Sequence, residues 1–232
     1  MFLLRIILIV AVTLPTTAMA ARPMVTDDAR LTMSGSCQVE SWAKVYSGGR
    51  EFWALPACNP TGNFEMTLGV AVTNHNSEPT TDDYIVQAKT LFKELETNHW
   101  SIGLALGTAQ HNNQSHIGPN GIGSTYIYVP ISQSFLDDKL ITHFNLGYIH
   151  HKESSKDSIT WGMGGEYKLK ENLLYILETF GDDRTNPSVQ MGLRYSVIPD
   201  IFQIDTTIGQ QVNIDNSQWL SVGIRYTPDK LF

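Results

Sequence analysis

Most of the marks by which common folds are recognised are missing from this sequence. After residue 20 no uninterrupted apolar run reaches the ~20 residues a spanning helix needs, which excludes a helical membrane protein. Two cysteines are too few for a disulfide-dense scaffold or a four-thiolate metal centre, and they form no CxxC pair. Basic residues are outnumbered, 16 Lys and Arg against 23 Asp and Glu, for a net charge of -7. A chain without a basic field cannot displace the counterions of a polyanion, so nucleic acid is excluded as a general partner. The seven histidines show no recognised ligand spacing, and the His-x-x-Ser-Asn-Gly pattern of barrel phospholipases is absent. No cofactor is expected.

What is present is alternation. From Cys37 to Tyr226 the chain resolves into about twelve segments in which apolar and polar residues alternate. Their predicted ranges are 37–46, 50–58, 63–74, 83–94, 99–110, 123–135, 138–150, 158–169, 172–181, 187–197, 200–211 and 217–227. In the eighth, Ile159, Trp161, Met163, Tyr167 and Leu169 alternate with Thr160, Gly162, Gly164, Glu166 and Lys168. Successive strand side chains point to opposite faces, so such a segment offers one face to lipid and one to a polar lumen. An open edge in hydrocarbon would strand backbone polar groups, so the sheet must close. The expected fold is therefore all-β, a closed antiparallel transmembrane barrel of about twelve strands, with ten as the alternative. The first two segments alternate poorly, and whether they join the wall stays open.

The connections alternate too. Those around residues 60–62, 96–98, 137–138, 170–171 and 198–199 are short, and most of those between them are longer and polar. That matches short periplasmic turns and longer outside loops, with both termini in the periplasm. Residues 1–20 read as a signal peptide: Arg5, an apolar run over 6–14, and Ala18-Met19-Ala20 as a small-x-small cleavage site. The expected organisation is 1–20 signal peptide, 21–36 periplasmic N-terminal segment and 37–232 outer-membrane barrel of a Gram-negative bacterium. For 21–36 two readings stand, a mobile tail and a plug in which Asp27, Asp28 and Arg30 enter the lumen. The terminal Phe232 resembles the signal read by the barrel assembly machinery, which is an expected partner together with outer-membrane lipid and lipopolysaccharide.

Cys37 and Cys58 stand symmetrically about Ser47-Gly48, so a hairpin with that tip places them opposite each other. In an oxidising compartment they are expected to form a disulfide, a staple for the first hairpin rather than a redox centre. The stretches Arg22-Pro23-Met24-Val25-Thr26-Asp27-Asp28-Ala29, Cys37-Gln38-Val39-Glu40-Ser41-Trp42 and 51–60 resemble a group of uncharacterised proteobacterial outer-membrane proteins. These in turn are similar to the barrel family linked to the meta pathway of phenol degradation. The resemblance covers nearly the whole mature chain and implies an outer-membrane barrel with a transport role, without assigning binding residues.

Placing the polar phase inward puts Glu40, Lys44, Glu65, Lys89, Glu166, Lys168, Glu178, Arg194, Asp205 and Arg225 in the lumen, where acids and bases balance. Asp205 is expected near Arg225, with Arg194 on its other side. Tyr126 and Tyr128 join the lumen set because Ile127, Val129 and Ile131 hold the outward phase; the other tyrosines fit the membrane interfaces. The inward phase is also rich in glycine, which relieves crowding in a narrow barrel. The expected function is a passive channel or uptake protein for small molecules, including hydrophobic or aromatic compounds. Two alternatives stand beside it: a barrel hydrolase using Asp82, Asp83, Asp182, Asp183 or His150 at the outer rim, and a non-conducting structural barrel closed by its own ion pairs.

Overall fold

The computed structural model describes residues 24–76, 80–112 and 123–228. Twelve strands follow one another: β1 Ser36–Tyr46, β2 Gly49–Asn59, β3 Glu65–His75, β4 Thr81–Lys93, β5 Trp100–Asn112 and β6 Ser124–Phe135. Then come β7 Leu140–His151, β8 Lys156–Lys170, β9 Leu173–Asp182, β10 Ser188–Ile198, β11 Phe202–Gln211 and β12 Trp219–Tyr226. Each pairs antiparallel with its sequence neighbours, and β1 pairs with β12 (Val39 opposite Tyr226, Tyr46 opposite Trp219), closing the barrel. The proposed signal peptide and Phe232 lie outside the described residues.

Closure leaves an outer face that water would not tolerate. Along β3, Met66, Leu68, Val70 and Val72 are exposed while Thr67, Gly69, Ala71 and Thr73 between them face in. Phe92, Trp100, Phe135, Tyr167, Tyr195 and Tyr226 stand exposed near the end of the barrel that carries the chain termini, and Phe52, Tyr84 and Tyr148 near the other. Apolar surface of this extent, bounded by aromatics at both ends, is a lipid-facing belt.

Strands β1 and β2 belong to the wall. They pair from Ser36 opposite Asn59 to Tyr46 opposite Gly49, with Cys37 and Cys58 directly opposed and bridged. Their weak alternation has a physical cause: the inward phase of this hairpin carries Trp42, Trp53, Leu55 and Ala57, so both faces read as apolar. The bridge sits on the outward phase, close to where the chain enters β1. The register shifts at Leu91/Lys93, Lys168/Lys170 and Ser196/Ile198 all fall at the end bearing the termini, where bulges turn strands out of the ladder.

The segment 24–35 departs from the periplasmic tail expected for 21–36. It runs into the barrel, with Met24, Thr26, Asp27, Ala29 and Thr32 buried. The plug alternative describes it, and it is called the strap below.

Candidate functional site

The strap enters beside β1 and rises toward the middle of the lumen. Gly35 N donates to Asn59 O at 2.8 Å, and Asn59 Nδ2 donates to Thr32 O at 2.7 Å. Thr32 N donates to Glu65 Oε2 at 2.7 Å and Ala29 N to Ser132 Oγ at 2.8 Å. Farther in, Asp27 N donates to Asn145 Oδ1 at 2.6 Å while Asn145 Nδ2 returns a bond to Asp27 O at 2.8 Å. Val25 N and Thr26 N then donate to the two oxygens of Glu178, each at 2.7 Å. A main chain with no sheet partner of its own is thus satisfied by wall side chains, as buried backbone must be.

Glycine makes the room. A Cβ on Gly162 would meet Thr26 Oγ1 at 2.5 Å, and one on Gly164 would meet Met24 Cε. Both belong to the inward phase of β8, where any side chain would occupy the strap's volume.

Charge fixes the strap's middle. Lys89 Nζ lies 2.8 Å from Asp27 Oδ2 and 3.8 Å from Asp28 Oδ1, and Tyr128 donates its hydroxyl to Asp27 Oδ2 at 2.7 Å. Arg30 spans Asp28 at 2.6 Å and Glu166 at 3.1 Å, and Arg194 meets the other oxygen of Glu166 at 2.6 Å. Desolvated charges persist only when paired and hydrogen-bonded in this way. His143 is fully buried beside the same group, its Nδ1 2.8 Å from Ser132 Oγ and its Nε2 3.8 Å from Glu166. Ser132 Oγ accepts the Ala29 amide and keeps its own proton for His143 Nδ1, an assignment that turns the imidazole N–H toward Glu166. The row Ser132, His143, Glu166 is therefore a clamp on the strap and offers a substrate no approach.

The remaining residues singled out from the sequence fall as follows. Glu40 is buried, opposite Arg225 across the β1–β12 pair, and both border a hollow beside the strap. Asp205 is buried directly across from Arg194, and Arg225 pairs in register with Gln203, one inward position from Asp205. Lys44 is half-buried, 3.9 Å from Glu51, with its ammonium 4.9 Å from the Trp219 ring centre. Tyr126 and Tyr128 stack with centres 6.2 Å apart; Tyr126 donates to Gln87 Oε1 at 3.0 Å, while the Tyr128 hydroxyl, its proton given to Asp27, lies 3.2 Å from the same oxygen. Lys168 is exposed at the termini-end rim, where it borders a second hollow. At the rim, His111 pairs with Asp83 and His150 with Asp157 at 2.7 Å.

An aromatic zone at the far end of the lumen was missed. Trp42 and Trp53 stack at 5.6 Å, with Leu55, Ala71 and Ile85 in one cluster with Trp53, and Phe180 of β9 sits 6.4 Å from Trp219 of β12. The signal was present: Trp42 shares the phase of Glu40 and Lys44, Phe180 that of Glu178, and Trp219 that of Arg225. Asn145, Ser132 and His143 were readable the same way.

Below this zone the strap leaves two hollows at the termini end. One, about 280 Å³, lies between the strap and the wall of β1 to β4 and β12, bordered by Glu40, Thr67, Gln87, Tyr126, Asp200 and Arg225. The other, about 350 Å³, opens among Glu96, Thr97, Asp138, Ile141, Lys168 and Leu174. Arg30 borders both. Asp138, in the turn between β6 and β7, accepts hydrogen bonds from Ser134 and Thr97 hydroxyls at 2.5 Å each, which hold its carboxyl below the ordinary aspartate value.

These features define a closed, membrane-spanning barrel of porin-like architecture with an internally strapped lumen. The chain belongs to the family described as "Uncharacterised conserved protein UCP029691", whose model matches residues 8–227. No curated protein sequence matches it. Its fold is similar to the KdgM porin in complex with disordered oligogalacturonate, at 12% identity and a TM-score of 0.63 over 82% of this chain and 98% of that one. It is also similar to the NanC porin (14% identity, TM-score 0.59, 84% and 100% covered). A third likeness is to the COG4313 outer membrane channel from Pseudomonas putida F1 (11% identity, TM-score 0.60, 87% and 98% covered).

Proposed function

We propose that the protein is an outer-membrane channel for passive uptake of small molecules, with hydrophobic and aromatic compounds as its cargo. The observation that carries this is the graded lumen: an aromatic half built from Trp42, Trp53, Phe180 and Trp219 and a polar half in which a hollow lies beside the strap on the β1 to β4 side. Planar apolar solutes gain from stacking in the first half. Paired charges in the second half leave no strong field of either sign to select ions. The fold shared with known outer-membrane channels and the resemblance to the phenol-degradation barrels both support this reading. In the proposed orientation the termini end, with its short turns, faces the periplasm, and of the lumen set Glu40, Glu65, Lys89, Tyr126 and Arg225 border the route.

A non-conducting structural barrel is the second reading, favoured by the strap's occupation of the lumen. Flux separates the two. Vesicles carrying the protein are expected to admit a small phenolic solute faster than protein-free vesicles and faster than a charged solute of equal size, without hydrolysing lipid or peptide. Equal rates with and without protein would support the structural reading, and turnover lost on Asp83→Asn or His150→Ala would support a rim hydrolase.

A further inference from the structure

The wall groups that hold the strap read its main chain. Glu178 accepts two successive amides, and Asn145 bonds both the N–H and the C=O of Asp27, the two-point contact one strand makes with another. Ser132, Glu65 and Asn59 likewise engage backbone atoms of Ala29 and Thr32. Side-chain recognition is sparse by comparison: the Asp27 carboxylate between Lys89 and Tyr128, Arg30 on Glu166, and small volumes over Gly162 and Gly164. The Thr32 hydroxyl is buried without a hydrogen-bond partner, so it adds no specific recognition.

We propose that the barrel interior is a binding site for an acidic peptide, filled in cis by residues 24–33 and able to accept a second peptide of the same chemistry in trans once that segment is removed. The required ligand has a backbone able to bend where Val25 and Thr26 turn both amides onto Glu178, a carboxylate at the place of Asp27, and side chains that fit over the β8 glycines. The strap's own tether raises its effective concentration to the order of millimolar, so the intact chain resists exchange. The hollows on either side of Arg30 give an incoming peptide a way in. The proposal stands apart from solute passage and is tested by binding alone.

The test uses a barrel lacking residues 21–33, folded in detergent micelles and titrated with a labelled synthetic peptide of the 24–33 sequence. Saturable one-to-one binding is expected, weakened at least about tenfold by Asp27→Ala in the peptide, with that difference abolished by Lys89→Ala in the barrel. Absence of saturable binding to a barrel that still shifts on heating in gels overturns the proposal, as does equal binding of the two peptides. Where the shortened barrel does not fold, a protease site at the exposed Met33 and Ser34 allows the strap to be cut after folding of the full chain. The labelled peptide is then expected to replace the cut segment. Retention of the cut segment against excess peptide, or its loss without peptide binding, overturns the proposal.

Discussion

Lys89 and Asp27 illustrate how single residues decide the state of this lumen. Both are buried, at 4% and 2% exposure, so neither charge is sustained by water. Lys89→Ala leaves the Asp27 carboxylate with the Tyr128 hydroxyl but no cation at hydrogen-bond distance, and is expected to destabilise the strapped state by about 3–5 kcal/mol. The double variant Asp27→Ala/Lys89→Ala is expected to lose less than the two single losses combined, by denaturant unfolding in micelles, because no buried charge is orphaned. Strict additivity would contradict the pairing. A second residue-scale expectation concerns Asp138. Its folded value is lowered, so its contribution is present above the unfolded value of ~3.9 and is lost as pH falls through the lowered folded value. A carbon-detected titration should place its midpoint below ~3.9, and Ser134→Ala should raise it. A midpoint at or above the reference would refute the turn geometry.

At the scale of elements, the strands were legible because lipid and lumen impose a period of two on any wall segment. Predicted and observed bounds differ by no more than two residues, and the pairing of Cys37 with Cys58 followed from hairpin symmetry. Strands β1 and β2 were obscure because Trp42, Trp53 and Leu55 place apolar groups on the lumen face, where the simple rule expects polar ones. The strap was harder still. It has no periodicity of its own, since its bonding partners come from distant strands: Asn145 on β7, Glu178 on β9 and Glu65 on β3. Its traces were its own charges, Asp27, Asp28 and Arg30, and the inward glycines Gly162 and Gly164 on β8. Gly164→Leu is therefore expected to expel Met24 and expose the strap to protease while the barrel stays folded. Gly165→Ala, where the nearest atom to an added Cβ is 3.6 Å away, is expected to change neither. Identical cleavage of both variants would contradict the packing described for β8.

For the whole molecule, the fold, the strap and the aromatic zone describe a barrel lumen narrowed from within. The barrel supplies location, and the strap sets how much of the lumen remains. The charges placed in the lumen from the sequence meet partners outside the wall, because Asp27, Asp28 and Arg30 of the strap complete the pairs around Lys89 and Glu166. Alternation reveals which face a residue takes but not what a remote segment brings to it.

The central claim, a conducting lumen restricted by residues 24–33, is tested most directly by single-channel recording in planar bilayers. The intact protein is expected to give small, weakly ion-selective openings, and the barrel lacking residues 21–33 a conductance several-fold larger. Equal conductance from the two proteins, or silence from both in a folded state, would contradict it.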